Sequence, residues 1–190
     1  MKVNQEQFLQ QLIENVEDNL TSVNEYMELS DEELNTKYDE KSWSILECME
    51  HLNRYGDYYI PYLKKAMNTS PQKTKDIYKG GWLGNYFANM MQPKGGSISN
   101  KMSAPSDKNP IGTTLDRVVL SVRKEQCTQL LEILGHSFDK NINKPRIPIS
   151  ISRVIRLKYG DTLHFLIAHD NRHTLQGDRI MYSISNKNTI

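Results

Sequence analysis

Apolar residues recur at steps of three and four along four stretches of the chain, and each stretch reads as one face of a helix. In the first, Phe8, Leu12, Val16, Leu20, Val23 and Met27 form a single stripe. Ser30 followed by DEEL then predicts an N-capped single turn, with Glu33 completing the capping box. The second helix is expected to start at Ser42 or Ser44, both good N-caps, and to run through ILECMEHLNRYGDYYIPYLKKAM. Its inner side carries Ile45, Cys48, Leu52, Tyr55, Tyr59 and Leu63. Pro61 should kink it or end its regular part, because proline lacks a backbone donor and crowds the preceding turn. A third helix is predicted over 114–136, with Leu115, Val119, Val122, Leu130 and Ile133 inward and Gln126 where the stripe wants an apolar residue. The fourth begins near Gly160 or Asp161, reaches about Ser183, and lines up Leu166, His169, His173, Gln176, Ile180 and Ile184.

Between the second and third helices, residues 69–113 break the pattern. SPQK, KGGWLGN, QPKGGSISN and SAPSDKNP are dense in Gly, Pro and Ser, with GWLGNYFANMMQ as a possible short helix between them. So long a connection is uncommon inside a compact domain and suits a lid, an interface or a strap. Before the last helix, DKNINKPRIPIS reads as irregular and SRVIRLKYG as a basic turn. The one strand-like run, Ile147 to Ile151, is short and carries a proline, so no strand is expected there. The expected architecture is therefore all-α: one domain over 1–190, a four-helix bundle with a long irregular connection between helices 2 and 3.

Charge and composition narrow the classes. Lys+Arg total 24 against Asp+Glu 23, which lacks the basic excess of a dedicated nucleic-acid surface. The N-terminus has no uninterrupted apolar segment of the secretory kind, and nothing approaches the ~20 apolar residues of a membrane helix. A soluble cytoplasmic protein without membrane or nucleic-acid partners is expected. Cys48 and Cys127 stand far apart and form no close motif, so two free thiols are expected rather than a disulfide.

The chemistry concentrates in HDNRH, residues 169–173. Histidines at i and i+4 lie on one helical face with Cβ atoms about 5–6 Å apart, close enough to converge on one metal ion. A bare H-x-x-x-H also fits a hydrogen-bonded core histidine beside a rim one. A bundle site needs a partner from a facing helix, and His51, between Cys48 and Tyr55 on the inner side of the second helix, supplies one. His164 lies about 140° round from His169 at roughly 100° per residue. His136 falls at the end of the third helix, beside Gly135. Asp170 stands where a zinc-protease helix would carry glutamate, so the H-E-x-x-H reading is poor.

These residues resemble a known family. WSILECMEHL (43–52) is similar to the second helix of the DinB superfamily, and GDTLHFLIAHDNRHTLQGDRI (160–180) to its last helix, where a glutamine follows H-x-x-x-H three residues later. KMSAPSDKNP (101–110) looks like the long connection of the DinB-like branch. The resemblance implies a four-helix bundle of up-down-down-up type, a divalent metal ion held by His51, His169 and His173, and a homodimer. It aligns Gln176 with the recurrent glutamine, in a supporting or packing role. Characterised relatives include metal-dependent transferases that join low-molecular-weight thiols such as bacillithiol or mycothiol to electrophiles, while family membership alone leaves the reaction open.

Three imidazoles leave a coordination position open, as in catalytic metal sites, where the pKa of a water or thiol is lowered. Zinc, nickel or iron are the expected metals; imidazole also suits copper. Around the ligands, Tyr55, with Tyr58, Tyr59 and Tyr62, offers a docking wall or ordinary core and rim. Gln126 offers a reach to the site or an interhelical hydrogen bond. Asp170 offers a second-shell bond to a ligand histidine or a solvated carboxylate, and Cys48 a fourth ligand or a buried thiol. Arg146, Arg153, Arg156 and Lys158 could draw an acidic thiol or substrate, or be surface charge; Lys64, Lys65, Lys73 and Lys75 read as a solvated end. Two classes of function follow. One is a metal-dependent thiol S-transferase, or a hydrolase using metal-bound hydroxide; the other is a non-catalytic metal- or small-ligand-binding stress-response bundle.

Overall fold

Side-chain caps set where the helices begin. In a computed structural model describing residues 1–98 and 102–187, the Asn4 side chain accepts from Gln7 N at the start of α1 (Gln5–Met27). Ser30 and Glu33 form a capping box on α2 (Asp31–Asn35), and Ser44 and Glu47 form another on α3 (Ile45–Thr69). Then come α4 (Trp82–Met91), α5 (Val118–Gly135) and α6 (Tyr159–Lys187). Ser99, Asn100 and Lys101 of the long connection lie outside the described residues.

Two small antiparallel sheets accompany the helices, so the chain is mostly helical rather than all-α. β1 (Lys2–Asn4) pairs with β2 (Ile77–Lys79) and ties the N-terminus to the chain after α3. β3 (Arg146–Ile149) pairs with β4 (Ser152–Lys158), which corrects both the discounted strand and the predicted basic turn. The alternation that marks a half-buried strand is missing because Arg153, Val154, Ile155 and Arg156 are all exposed. Pro148 is tolerated because a two-stranded ribbon consists of edges alone. Tyrosines of α3 anchor the turn: Ser150 N donates to Tyr59 Oη at 2.9 Å, and Tyr58 Oη to the Ile149 carbonyl at 3.2 Å.

Two other expectations are narrowed. Of the kink or end expected at Pro61, the end is excluded, since α3 continues to Thr69. On α5, which starts at Val118 rather than 114, Val122 is exposed while Arg123 is buried.

α1 and α3 each pack against both α5 and α6, and α4 lies on α6. The middle of α6 is buried nearly all round, because three helices share its surface. One apolar cluster gathers Leu9, Leu12, Leu63, Leu130 and Leu163; a second gathers Val23, Tyr26, Leu34, Met49 and Ile180. α4 approaches through two small buried residues one turn apart, Gly84 and Ala88. A Cβ on Gly84 would fall 2.4 Å from both Cβ and Cγ of Asp161. Asp161 cannot easily yield: it is buried, accepts from Tyr78 Oη, and accepts from Gly81 N at 3.0 Å. Gly84→Ala is therefore expected to cost about 1–3 kcal/mol through overpacking. Chemical denaturation would read this, and an unchanged midpoint would mean that α4 can shift off α6 freely.

Candidate metal centre

The capping box at Ser44 fixes the register of α3, which turns Cys48, His51, Leu52 and Tyr55 inward. His169 and His173 meet His51 from α6. The imidazole nitrogens offered by the three all lie within 4.8 Å of one another, and all three rings are buried.

Hydrogen bonds decide which nitrogen each ring presents. His51 Nδ1 lies 2.7 Å from the Lys108 carbonyl, which can only accept, so the proton sits on Nδ1 and the Nε2 lone pair faces inward. His173 Nδ1 faces Gln176 Oε1 at 3.1 Å and presents Nε2 by the same logic. His51 Nε2 and His169 Nε2 stand 3.1 Å apart. Two nitrogens bound to one ion at 2.0–2.1 Å, with angles from octahedral to tetrahedral, would be ~2.9–3.4 Å apart. The donor set thus fits a divalent metal ion.

Electrostatics agree with neutral, ligand-ready imidazoles. Burial pushes His51 down to about 4; the Lys108 carbonyl opposes this, and the charges of Arg54 and Lys108 add to it. His169 and His173 are held well below the ordinary histidine range, first by burial and then by neighbouring histidines and Arg172.

The sequence profile of the DinB superfamily matches residues 13–176, from the middle of α1 to Gln176 in α6. The chain belongs to the DinB superfamily. No curated protein and no solved structure matches it.

In this DinB-superfamily chain the histidines open onto a cleft of ≈ 970 Å³. Trp43 stacks obliquely over His51 and His173, with centroids 4.6 and 5.4 Å away, and Tyr55 lies 4.5 Å from His169. Met91, Met102, Pro105 and Ile111 extend the wall from α4 and the long connection. That connection is pinned at the site: besides the bond to His51, Arg54 Nη1 donates to the Asn109 carbonyl at 2.8 Å. Among its described residues, Ile98, Met102, Pro105 and Ile111 line the cleft.

The remaining candidates divide. Tyr55 and Gln176 line the cleft; Asp170, Gln126 and Cys48 do not. Asp170 is fully buried in an ion pair with Arg123 at 2.8 Å, so it is no solvated carboxylate, and it makes no hydrogen bond to a ligand histidine. Burial pushes its carboxyl up to about 6 against the pull of Arg123, which leaves it ionised at neutral pH. Gln126 bridges helices, donating to the Asn53 carbonyl at 3.0 Å and to Asp57 Oδ1 at 2.9 Å. Cys48 and Cys127 are free buried thiols whose pKa values burial raises. His164 packs edge-on against Phe8, away from the cluster.

Sequence reading missed Trp43 as a site residue, Arg172 on the cleft wall, the Lys108 carbonyl and the buried Arg123. Arg172 had a signal: it stands three residues after His169 on the same side of α6. Backbone carbonyls leave none.

Proposed function

We propose that this chain is a metal-dependent enzyme that activates a low-molecular-weight thiol for transfer to an electrophile, with His51, His169 and His173 as the ligands of a divalent ion. The observation that carries the reading is the convergence of three buried, neutral imidazoles at the inner end of an open cleft. When bound, the ion supplies Lewis acidity that lowers the pKa of a thiol near it. The chain's own residues do the rest. Lys108 and Gln176 hold two rings in the tautomer that presents Nε2, and Trp43 and Tyr55 exclude water from one side. The transfer forms a carbon–sulfur bond while the thiol proton passes to solvent and the leaving group departs with its electron pair. Among the cleft's described lining residues, the only carboxylates are Asp39 and Glu40, both exposed, so no buried carboxylate competes as general base. The packing of α1 and α3 against both α5 and α6 supports a bundle of up-down-down-up course.

The test is metal content of protein purified without an affinity tag, beside His169→Ala/His173→Ala, followed by thiol-dependent consumption of an electrophile. About one divalent ion per chain is expected in the wild type. Loss of an outer-shell partner alone costs roughly 10–100-fold in metal affinity, so removing two ligands should exceed that. Failure of the folded wild type to take up zinc, nickel or iron would sink the metal reading. Metal uptake with no thiol chemistry would leave a metal-binding protein without this activity.

A further inference from the structure

The residues that line the cleft sort by the element they come from. Those just before α3 and those on α6 are polar or charged apart from Trp43, among them Asp39, Glu40, Lys41, Gln176 and Arg179. The lining from α4 and the long connection is apolar: Met91, Ile98, Met102, Ala104, Pro105 and Ile111, with Ser103 and Asn109 as the polar exceptions among its described residues. Met102 and Ile111 are each 49% exposed, so two large apolar side chains of this connection stand in water at the cleft. Single exposed apolar residues are ordinary, whereas several gathered along a concave site mark a surface that a ligand covers. Two of them are methionines, whose unbranched thioethers adapt to the shape of what they touch. At ≈ 970 Å³ the cleft also has room for more than one small molecule.

We propose that the electrophile is the apolar one of the two co-substrates: a molecule with a flexible hydrocarbon body that lies on Met91, Met102, Pro105 and Ile111, its reacting end toward the three histidines. A water-soluble thiol suits the polar lining from α6 and the residues before α3, which leaves the connection to its partner. The word electrophile rests on the thiol-transfer reading; the apolar body rests on the cleft alone. Met102 and Ile111 are then specificity residues, which select the ligand by burying hydrocarbon and touch none of the reacting atoms.

Trp43 gives the readout. The chain has two tryptophans, and Trp82 is 81% exposed, so Trp82→Phe leaves Trp43 as the only indole. In that background the full chain is titrated with butanamide, hexanamide and octanamide while Trp43 fluorescence is followed. A fully buried methylene is worth about a fourfold gain in affinity, and in this open cleft a gain of at least about twofold per methylene is expected. Met102→Ser/Ile111→Ser should weaken octanamide at least about fivefold while moving butanamide by less than about twofold. Val154→Ser, on the β3–β4 hairpin and 91% exposed, should leave the series unchanged. Equal affinity across the series overturns the proposal, as does binding of none, the result if a second copy of the chain covers this wall. So does a gain that survives the double variant, or one that Val154→Ser reduces equally, which would be adsorption to any exposed apolar residue. If the double variant fails to fold, Met102→Ser alone carries the test, with at least about a twofold weakening of octanamide expected and none overturning it. The head group is constant, so the series reports on the apolar body whatever the metal content. Metal content and thiol-dependent turnover, measured separately, report on the thiol-transfer reading alone.

Discussion

Replacing Arg123 by methionine is expected to remove about 3–5 kcal/mol of folding stability, the usual cost of stranding one member of a buried ion pair. Arg123 is 1% exposed and Asp170 is fully buried, so neither charge can turn to water once its partner is gone. The loss spreads beyond the pair. Arg123 Nη1 also donates to Gln126 Oε1 at 3.2 Å, and Gln126 in turn joins Asn53 and Asp57 of α3. Arg123, bonded to Asp170, and Gln126, bonded to Asn53 and Asp57, thus together connect α5 to both α6 and α3. For a chain of this size the thermal midpoint should fall by roughly 10 °C. The double variant Arg123→Met/Asp170→Leu should recover most of the loss, because a well-packed apolar pair replaces a desolvated one. Urea denaturation of the four proteins closes the cycle. A single-variant cost below about 1 kcal/mol would mean that water reaches the pair.

Acid should destabilise the metal-free protein through His51. An unfolded histidine titrates near 6.5 and the folded His51 near 4, so between those values the unfolded chain carries one more proton at this position. Stability contributed by the neutral ring is fully present above pH 6.5 and is lost as the pH falls toward 4. The difference corresponds to about 3 kcal/mol. Asp170, pushed up to about 6, titrates with the opposite sign in much the same window, so raw pH profiles would partly cancel. Comparison with His51→Gln avoids this, because Asp170 is common to both proteins. The stability of the wild type relative to His51→Gln should drop by about 3 kcal/mol from pH 6.5 to 4. A gap independent of pH would show that His51 is protonated in the folded state without penalty.

Much of this was legible in the sequence, for identifiable reasons. The stripes of α1 and α3 declare their buried faces because each helix has one side toward the core, and Ser44 three residues before Glu47 marks a helix start in a local pattern of known chemistry. The histidine pair announces itself by i, i+4 spacing, and His51 by its place on a facing stripe. What stayed hidden depends on neighbours distant in sequence. Arg123 reads as a surface residue until Asp170 is seen against it, and Val122 reads as core until the rotation of α5 is known. The β3–β4 hairpin escapes because its exposed strand mixes Val154 and Ile155 with arginines, and because its turn is held by Tyr58 and Tyr59 from 91 residues away. Pro61 does not end α3. Packing on two neighbouring helices outweighs the lost hydrogen bond.

The cleft is built from two kinds of material. Its three imidazoles stand on long helices whose positions are fixed by the core, whereas Met102, Pro105 and Ile111 stand on a connection held at the site through the Lys108 and Asn109 backbone carbonyls. Backbone carbonyls are indifferent to the side chains that carry them. Residues along this segment can therefore be exchanged, or the segment lengthened, while the bond that orients His51 survives. Such a division would let descendants of one ancestral chain keep the same inorganic centre and diverge in the molecules they admit.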